Sequence, residues 1–401
     1  VTNTGPIRQQ TMRDRNLALL LGEIARRGPM TRARLAEVTG LTKTTVSTLV
    51  AVLADIGLVR ADGRVHEGER GRPGVAVAIN RDGPAGLGLE VNVDYLAACV
   101  LDLGRRVRYR DLVHADNRSR PVEEVLAELG AVAERALNAA RQQGLAVKGA
   151  MVALPGVLDH RLLRTAPNLG WSDLPIADLL DAHLPALPRP TGLDNEANLA
   201  ALAELWFGGG AALGDFVYVS GEIGIGAGIV VSGRLFRGAH GSAGELGHVP
   251  VDPAGPACSC GGRGCLEQVA GQSAILRSAG LSQDSSPEAL RLLLRRLEER
   301  RPAATEAVSR AGAALGVALI GAANLLDPDT IVLGGLFSTL APWIRRPVQA
   351  ALGTASGRLR ATAPEVTASA LGEDAAVLGA AGAVIERLIT DPGALLAARI
   401  A

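Results

Sequence analysis

The chain has 401 residues, 48% of them hydrophobic and 2% aromatic, with 41 basic and 41 acidic side chains. That length suffices for two or three domains with real cores. No continuous apolar run reads as a bilayer span and no secretory leader opens the chain, so the expectation is a cytoplasmic protein with no membrane partner.

The zero net charge hides an asymmetry. Residues 1–80 hold 12 basic and 7 acidic side chains, an excess near +5 that the remainder balances. A basic segment on an acidic chain points to a local anionic partner, DNA first, with a solvated basic face as the plain alternative. "RDRNLALLLGEIARRG" (13–28) places Leu17, Leu20, Leu21 and Ile24 at helical spacing. In "MTRARLAEVTG" (30–40), Thr31 can cap a second helix and Gly40 end it. In "LTKTTVSTLVAVLADIGLV" (41–59), Thr42 is an N-cap candidate, and Val46, Leu49, Val50 and Leu53 form one apolar stripe. Two short helices joined by a Gly-containing turn after a preceding helix predict a helix-turn-helix. Thr42, Lys43, Thr44, Thr45, Ser47 and Thr48 crowd the start of its third helix, the end that reads base edges and phosphates in the major groove.

Residues 57–80 read as a wing, with strands near Leu58–Arg60 and Val75–Ile79. Between them, Arg70 and Arg72 in "ERGRPG" suit a narrow minor groove, or simply a linker. From residue 86 the pattern changes. Strands are expected in 86–107, 147–159 and 215–238, a helix over 122–143, and a helix leading into a strand and a Gly-Gly turn over 318–337. That alternation predicts an α/β fold.

"DNEANLAALAE", "GELGHVPVD", "CSCGGRGCLE" and "NLLDPDTIVLGG" resemble the ROK family of repressors, open reading frames and sugar kinases. With the N-terminal helix-turn-helix, the chain resembles the branch that includes the xylose and N-acetylglucosamine repressors. The resemblance implies a winged helix-turn-helix domain (residues 1–80) followed by a two-lobed, actin-like sugar-kinase domain (85–401). The small lobe would span about 85–194 plus the C-terminal helix, and the large lobe about 195–380. It also implies a homodimer or homotetramer.

Three of the four cysteines, Cys258, Cys260 and Cys265, share one glycine-rich loop, and His248 lies ten residues upstream. Cys3His is a common tetrahedral zinc set, closed and therefore structural. A disulfide would leave one thiol over, and free buried cysteines are the other alternative. His248 could serve a metal with one nitrogen and a sugar with the other, or the metal alone.

The family's kinases open with an Asp-x-Gly-Gly-Thr loop for ATP phosphates; the matching stretch here is Glu90-Val91-Asn92-Val93-Asp94, without either glycine. Their Asn-Asp base pair is matched by Asn195-Glu196. By the same resemblance, Gly156, Asn168, Asn195, Glu196, Glu245, His248 and Glu267 fall where the family binds sugar hydroxyls. Glu245 as a buried structural acid and Glu267 as a cap or salt-bridge partner are the alternatives. The resulting expectation is a non-catalytic regulator, a repressor whose sensor domain takes a sugar or sugar phosphate and whose winged helix binds a double-stranded operator. An active ATP-dependent sugar kinase with a DNA-binding appendage, or a DNA-binding factor with a dead sensor, are the alternatives.

Overall fold

The computed structural model describes residues 9–65, 74–159, 161–283, 286–356 and 362–400. Helix α1 (Gln9–Arg27) buries the stripe of Leu17, Leu20, Leu21 and Ile24. Strand β1 (Met30–Thr31) leads into α2 (Arg32–Thr39), where Thr31 Oγ1 accepts from the Arg34 N–H at 3.2 Å. Gly40 closes α2 in the left-handed conformation, at φ 70°. Helix α3 (Lys43–Asp55) repeats the device with Thr42, whose Oγ1 accepts from the Thr45 N–H. Strands β2 (Val59–Val65) and β3 (Gly74–Ile79) form the wing, with β1 pairing β3 as a third strand absent from the sequence reading. Arg70 and Arg72 lie outside the described residues.

The first large sheet contains β4 (Pro84–Val91), β5 (Tyr95–Asp102), β6 (Val107–His114), then helix α4 (Val122–Gln142) and β7 (Ala146–Leu154). A small antiparallel sheet of β8 (Val157–Asp159), β9 (Leu162–Ala166) and β10 (Trp171–Leu174) follows, then α5 (Ile176–His183), β11 (Thr191–Asn195) and α6 (Glu196–Phe207). After the short α7 (Gly210–Leu213), the second large sheet begins with β12 (Phe216–Gly221), β13 (Ile225–Val231) and β14 (Arg234–Phe236). Helices α8 (Glu267–Ala270), α9 (Gln272–Ser278), α10 (Pro287–Glu298) and α11 (Pro302–Leu326) precede β15 (Thr330–Gly335). Then come α12 (Leu336–Thr339), α13 (Ala341–Ser356), β16 (Glu365–Ala368), α14 (Ala375–Thr390) and α15 (Gly393–Ile400).

The sheet orders are β11-β7-β4-β5-β6 and β14-β13-β12-β15-β16. Each is a three-stranded antiparallel meander extended by two strands parallel to its first strand, so one plan occurs twice. The parallel strands β4, β7, β11, β12 and β15 end near one another, and the gap outside such carboxyl ends is where open α/β sheets place ligands.

Helix α14 organises the molecule. It packs on β4, β5 and β7, on α6, and on α1 of the N-terminal domain. A Cβ at Gly379 would fall 1.8 Å from the Leu199 carbonyl oxygen of α6, and one at Gly88 would fall 2.3 Å from the Val377 carbonyl oxygen of α14. Both contacts therefore need glycine. Ile385 and Ile389 of α14 and Cys99 and Leu101 of β5 join the α1–α3 side chains in one apolar cluster. The N-terminal domain is thus docked on the first sheet by a shared core, which a linker alone would not provide.

Helix α11 is long and apolar enough by length and composition to cross a membrane. Its buried face, with Val308, Leu315 and Leu319, belongs to the core of the second sheet. A Cβ at Gly316 would meet Ala351 of α13 at 2.4 Å, so the apolar run is explained by helix packing.

Gly379→Ala is expected to destabilise the protein by about 1–3 kcal/mol through overpacking of α14 on α6. Gly321→Ala, where a Cβ meets nothing within 4 Å, should be neutral or stabilising by up to about 1 kcal/mol. Chemical denaturation of the two variants checks the pair.

Candidate functional site

One cavity of about 860 Å³, part of it open to solvent, lies between the two large sheets and gathers all seven residues expected at a sugar site. Gly156 sits in the turn after β7 with φ 97°, and a Cβ there would lie 2.1 Å from the Thr165 carbonyl oxygen. Asn195 ends β11 and caps α6: its Oδ1 accepts from the Ala197 and Asn198 N–H groups, and its Nδ2 donates to the Gly156 carbonyl at 3.0 Å. Both ends of this amide are therefore engaged in shaping the cleft wall. Asn168, after β9, and Glu267, at the start of α8, both approach Gly224: a Cβ there would lie 2.9 Å from Asn168 Nδ2 and 2.7 Å from Glu267 Oε2. Glu267 Oε2 accepts from the Ile225 N–H, so the carboxylate holds the glycine turn. Glu245 points one oxygen at His248 Nε2, 3.9 Å away.

Arg237, after β14, forms a two-pronged pair with buried Asp194 of β11, at 2.7 and 2.5 Å. Asp194 also accepts from the Asn195 N–H and from Asn198 Nδ2. The pair ties the second sheet to the first beside the cavity and neutralises the Arg237 charge.

Sequence reasoning singled out five carboxyl-bearing or amide positions here and missed Asn92, Asn198 and Glu222, which line the same cavity. An acid set within the Gly/Ile run "SGEIGIGAG" was the available signal for Glu222. Glu90, Glu196 and Glu222 all face a narrow gap behind the cavity, beside Tyr95 and Tyr218. Burial pushes the Glu90 carboxyl up to about 7, against hydrogen bonds from Tyr95 and Asn92. Enclosure raises Glu196 and Glu222 well above the usual carboxylate range, and in both cases the Glu90 charge adds to it. One oxygen each of Glu90 and Glu196 is buried without a hydrogen-bond partner. The matched stretch Glu90–Asp94 forms the β4–β5 turn, with Asn92 Oδ1 accepting from the Val93 N–H and Asn117 Nδ2 donating to the Asn92 carbonyl.

His248, Cys258, Cys260 and Cys265 converge, with one ligand atom from each lying within 4.8 Å of all the others. His248 Nδ1 is 3.7 Å from Cys258 Sγ, and Cys260 and Cys265 sulfurs are 3.7 Å apart. The thiols are free, and the cluster could hold one metal ion. His248 thus turns Nδ1 to the thiols and Nε2 toward Glu245. Gly264, at φ 64°, lets the loop pass so close to Asp252 that a Cβ would fall 1.5 Å from its carbonyl oxygen.

On α3, Thr42, Lys43, Thr44, Ser47 and Thr48 are exposed and Thr45 is half-buried. The Thr42 and Thr45 hydroxyls bond each other at 2.9 Å, and Thr48 donates to the Thr44 carbonyl. Those three hydroxyls are engaged within the helix, with Thr42 capping its start, and Lys43, Thr44 and Ser47 complete the outward polar face.

The ROK family model matches residues 86–387, and the MarR family model matches residues 15–67. The xylose repressor of Bacillus spizizenii is 28% identical over 376 residues, covering 93% of this chain and 96% of that protein. The glucokinase of Halalkalibacterium halodurans is 32% identical over 250 residues, 58% of this chain and 74% of its own length. A ROK family transcriptional regulator described as a homolog of the E. coli MLC protein superposes with a TM-score of 0.76 at 26% identity, over 96% of this chain and 98% of that structure.

The raised Glu90 value has a definite sign. Folded-state preference for the protonated form leaves stability intact below the ordinary carboxyl value near 4.5 and removes it as pH rises through about 7. Glu90→Gln should therefore gain little at pH 5 and on the order of 3 kcal/mol above pH 8, measured by denaturant unfolding across that range. A gain independent of pH would contradict the assignment.

Proposed function

The chain belongs to the ROK family, and we propose that it is a sugar-responsive transcriptional repressor whose kinase-like domain senses a sugar without phosphorylating it. Residues 1–80 form its DNA-binding part and 85–401 its sensor. The observation that carries this reading is the outward polar face of α3, on a domain whose apolar side chains dock on the first sheet, together with a cleft whose stretch matching the first phosphate loop is Glu90–Asp94. Glycines in such a loop let backbone N–H groups reach phosphate oxygens. Here Asn92 is folded back on the Val93 N–H, and Glu90 and Glu222 place carboxyl groups at the gap leading from the cavity. Among the described residues that line this gap there is no lysine or arginine to meet a nucleotide phosphate. The repressor named above matches nearly the whole chain, whereas the glucokinase matches a little over half.

The Cys3His cluster suits one structural zinc ion. Zn–S bonds of about 2.3 Å in a tetrahedron put neighbouring ligands about 3.8 Å apart, and the two measured separations are 3.7 Å. His248, Cys258, Cys260 and Cys265 would fill all four positions, leaving none for catalysis. Zinc supplies a fixed crosslink, and this chain's residues do the rest. His248 aims Nε2 at Glu245, and Cys265 sets the start of α8, where Glu267 holds the glycine turn.

Residues Gly156, Asn168, Glu196, Glu245 and Glu267 suit a polyol, whose hydroxyls both donate and accept. Ligand bound between the sheets biases their relative placement, and α14 connects that movement to α1. The bias requires different affinity for the two arrangements. A two-fold dimer would present two α3 helices to a pseudo-palindromic operator.

Operator sequences selected from random duplex DNA by the full chain test this function. The expected outcome is a pseudo-palindromic site whose affinity changes at least about tenfold with one sugar, a coupling near 1.4 kcal/mol. Lys43→Ala should weaken binding across sequences and lower the salt slope by about one. Sugar phosphorylation from ATP at about 1–100 s⁻¹ would overturn the non-catalytic reading.

Elemental analysis should find one zinc per chain. Cys260→Ser should lower that content and the melting temperature, and full zinc retention in that variant would contradict the cluster's role.

A further inference from the structure

We infer that a second cavity, between the DNA-binding domain and the first sheet, is a binding site for a small phosphorylated anion that bridges the two. It is separate from the sugar cleft, and the inference stands on its own geometry. The cavity measures about 720 Å³, part of it open to solvent. Its walls come from the end of α1, the wing strands β2 and β3, the connector between β3 and β4, the β5–β6 turn and Ile389 of α14. Three arginines from three of these segments line it: Arg60 of β2, Arg81 of the connector and Arg105 of the turn. Among the described residues of the lining the one acidic side chain is Asp62, which is exposed.

Among the described residues no carboxylate forms an ion pair with Arg81, whose carbonyl accepts from Arg108 Nη1 at 2.9 Å. Its side chain lies across Gly104, where a Cβ would fall 2.6 Å from Arg81 Nε and 2.9 Å from Cγ. The missing side chain at Gly104 therefore lets Arg81 reach the turn that carries Arg105. That turn holds Arg105 in the left-handed conformation, at φ 61°, a sparse region for a bulky residue. The Arg105 N–H donates to the carbonyl of buried Asp102, whose Oδ1 accepts from the Arg106 N–H. The Arg105 guanidinium lies 5.2 Å from the Trp206 ring centre and donates from Nη2 to Glu386. Burial pulls Arg105 below the ordinary guanidinium range, against the opposing pull of Glu386. Arg60 donates from Nη1 to Asp82 at 3.1 Å. A guanidinium has five N–H donors, so Arg60 and Arg105 both keep donors for a second anion.

Guanidinium forks match phosphate oxygens in shape and charge. A phosphate monoester presents three strong acceptor oxygens and about −1.5 to −2 charges. It can therefore engage three arginines at once, whereas a carboxylate offers two oxygens and a single charge. Like charges gathered at one cavity repel, and an anion among them replaces that repulsion with attraction. Held by β2, the connector and the β5–β6 turn together, the anion ties the wing to the first sheet beside their shared apolar cluster.

The test is calorimetric titration of the full chain, at constant ionic strength, with inorganic phosphate, fructose 6-phosphate and AMP. These arms separate free phosphate from a sugar ester and from a nucleotide. At least one should bind and, when saturating, raise the melting temperature by about 2 °C or more. Arg81→Ala should weaken that compound at least about tenfold. Asn168→Ala, in the sugar cleft, should leave its affinity unchanged. No binding by any of the three overturns the inference, as does equal binding by Arg81→Ala and the unaltered chain. Loss of binding in Asn168→Ala would put the anion in the sugar cleft and overturn it too. With no phosphate compound present, operator binding that weakens in Arg81→Ala, with a salt slope lower by about one, would assign Arg81 to DNA instead and overturn the inference.

Discussion

The close seating of α14 is the constraint on which the rest of the molecule depends. Two positions without side chains, Gly88 on β4 and Gly379 on α14, bring the helix into backbone contact with the first sheet and with α6. Its neighbours then carry the working parts. β4 carries Glu90 one residue before its end, α6 begins at Glu196, and α1 opens the DNA-binding domain. Close-packed interiors transmit small displacements rather than absorbing them. A change in the spacing of the two sheets therefore reaches α1 through one rigid element and a shared apolar cluster.

The cleft carries an electrostatic cost. Glu90 is buried with one oxygen unpaired, and Glu196 carries a second unpaired oxygen at the same gap. Each is an expense in folding free energy, since a buried polar atom without a partner has given up its water. Carboxyl groups line the gap behind the cavity, and the larger opening beyond it is bounded by Asp94 and Glu373 together with Arg118 and Arg291. The Arg237–Asp194 pair ties the second sheet to the first, and in the glycine turn the Ile225 N–H is taken by Glu267.

The thiol cluster and the cleft form one mechanical unit. His248 belongs to both, and the chain passes directly from Cys265 to Glu267. A metal held by these four side chains would crosslink a loop that otherwise relies on turns alone, beside the two carboxylates Glu245 and Glu267. This is the arrangement in which a structural metal influences sensing indirectly.

Local chemistry was legible in the sequence. Thr31, Thr42 and Gly40 announced the helix limits because caps act on backbone groups within three or four residues. The spacing of three cysteines announced their cluster, and motif resemblance brought Gly156, Asn168, Glu245 and Glu267 to one cavity, as the structure places them. Other features were not legible, because they are made by pairs distant in the chain. Glu222 gains its setting from Glu90, 132 positions away in number yet at the same gap. Asn195 is drawn into capping α6 and bonding Gly156, which only the assembled turn makes available. The docking of the N-terminal domain arises from β5 and α14, whose outer faces read as ordinary apolar stripes until a partner is placed against them. The sequence by itself determined the helix-turn-helix, the grouping of three cysteines in one loop and the stretch Glu90–Asp94 without glycines, since each is written in contiguous residues. Only the tertiary structure decided which carboxyls share the cleft, which amides are already spent and how the two domains are joined, since burial and hydrogen-bond partners belong to the folded arrangement.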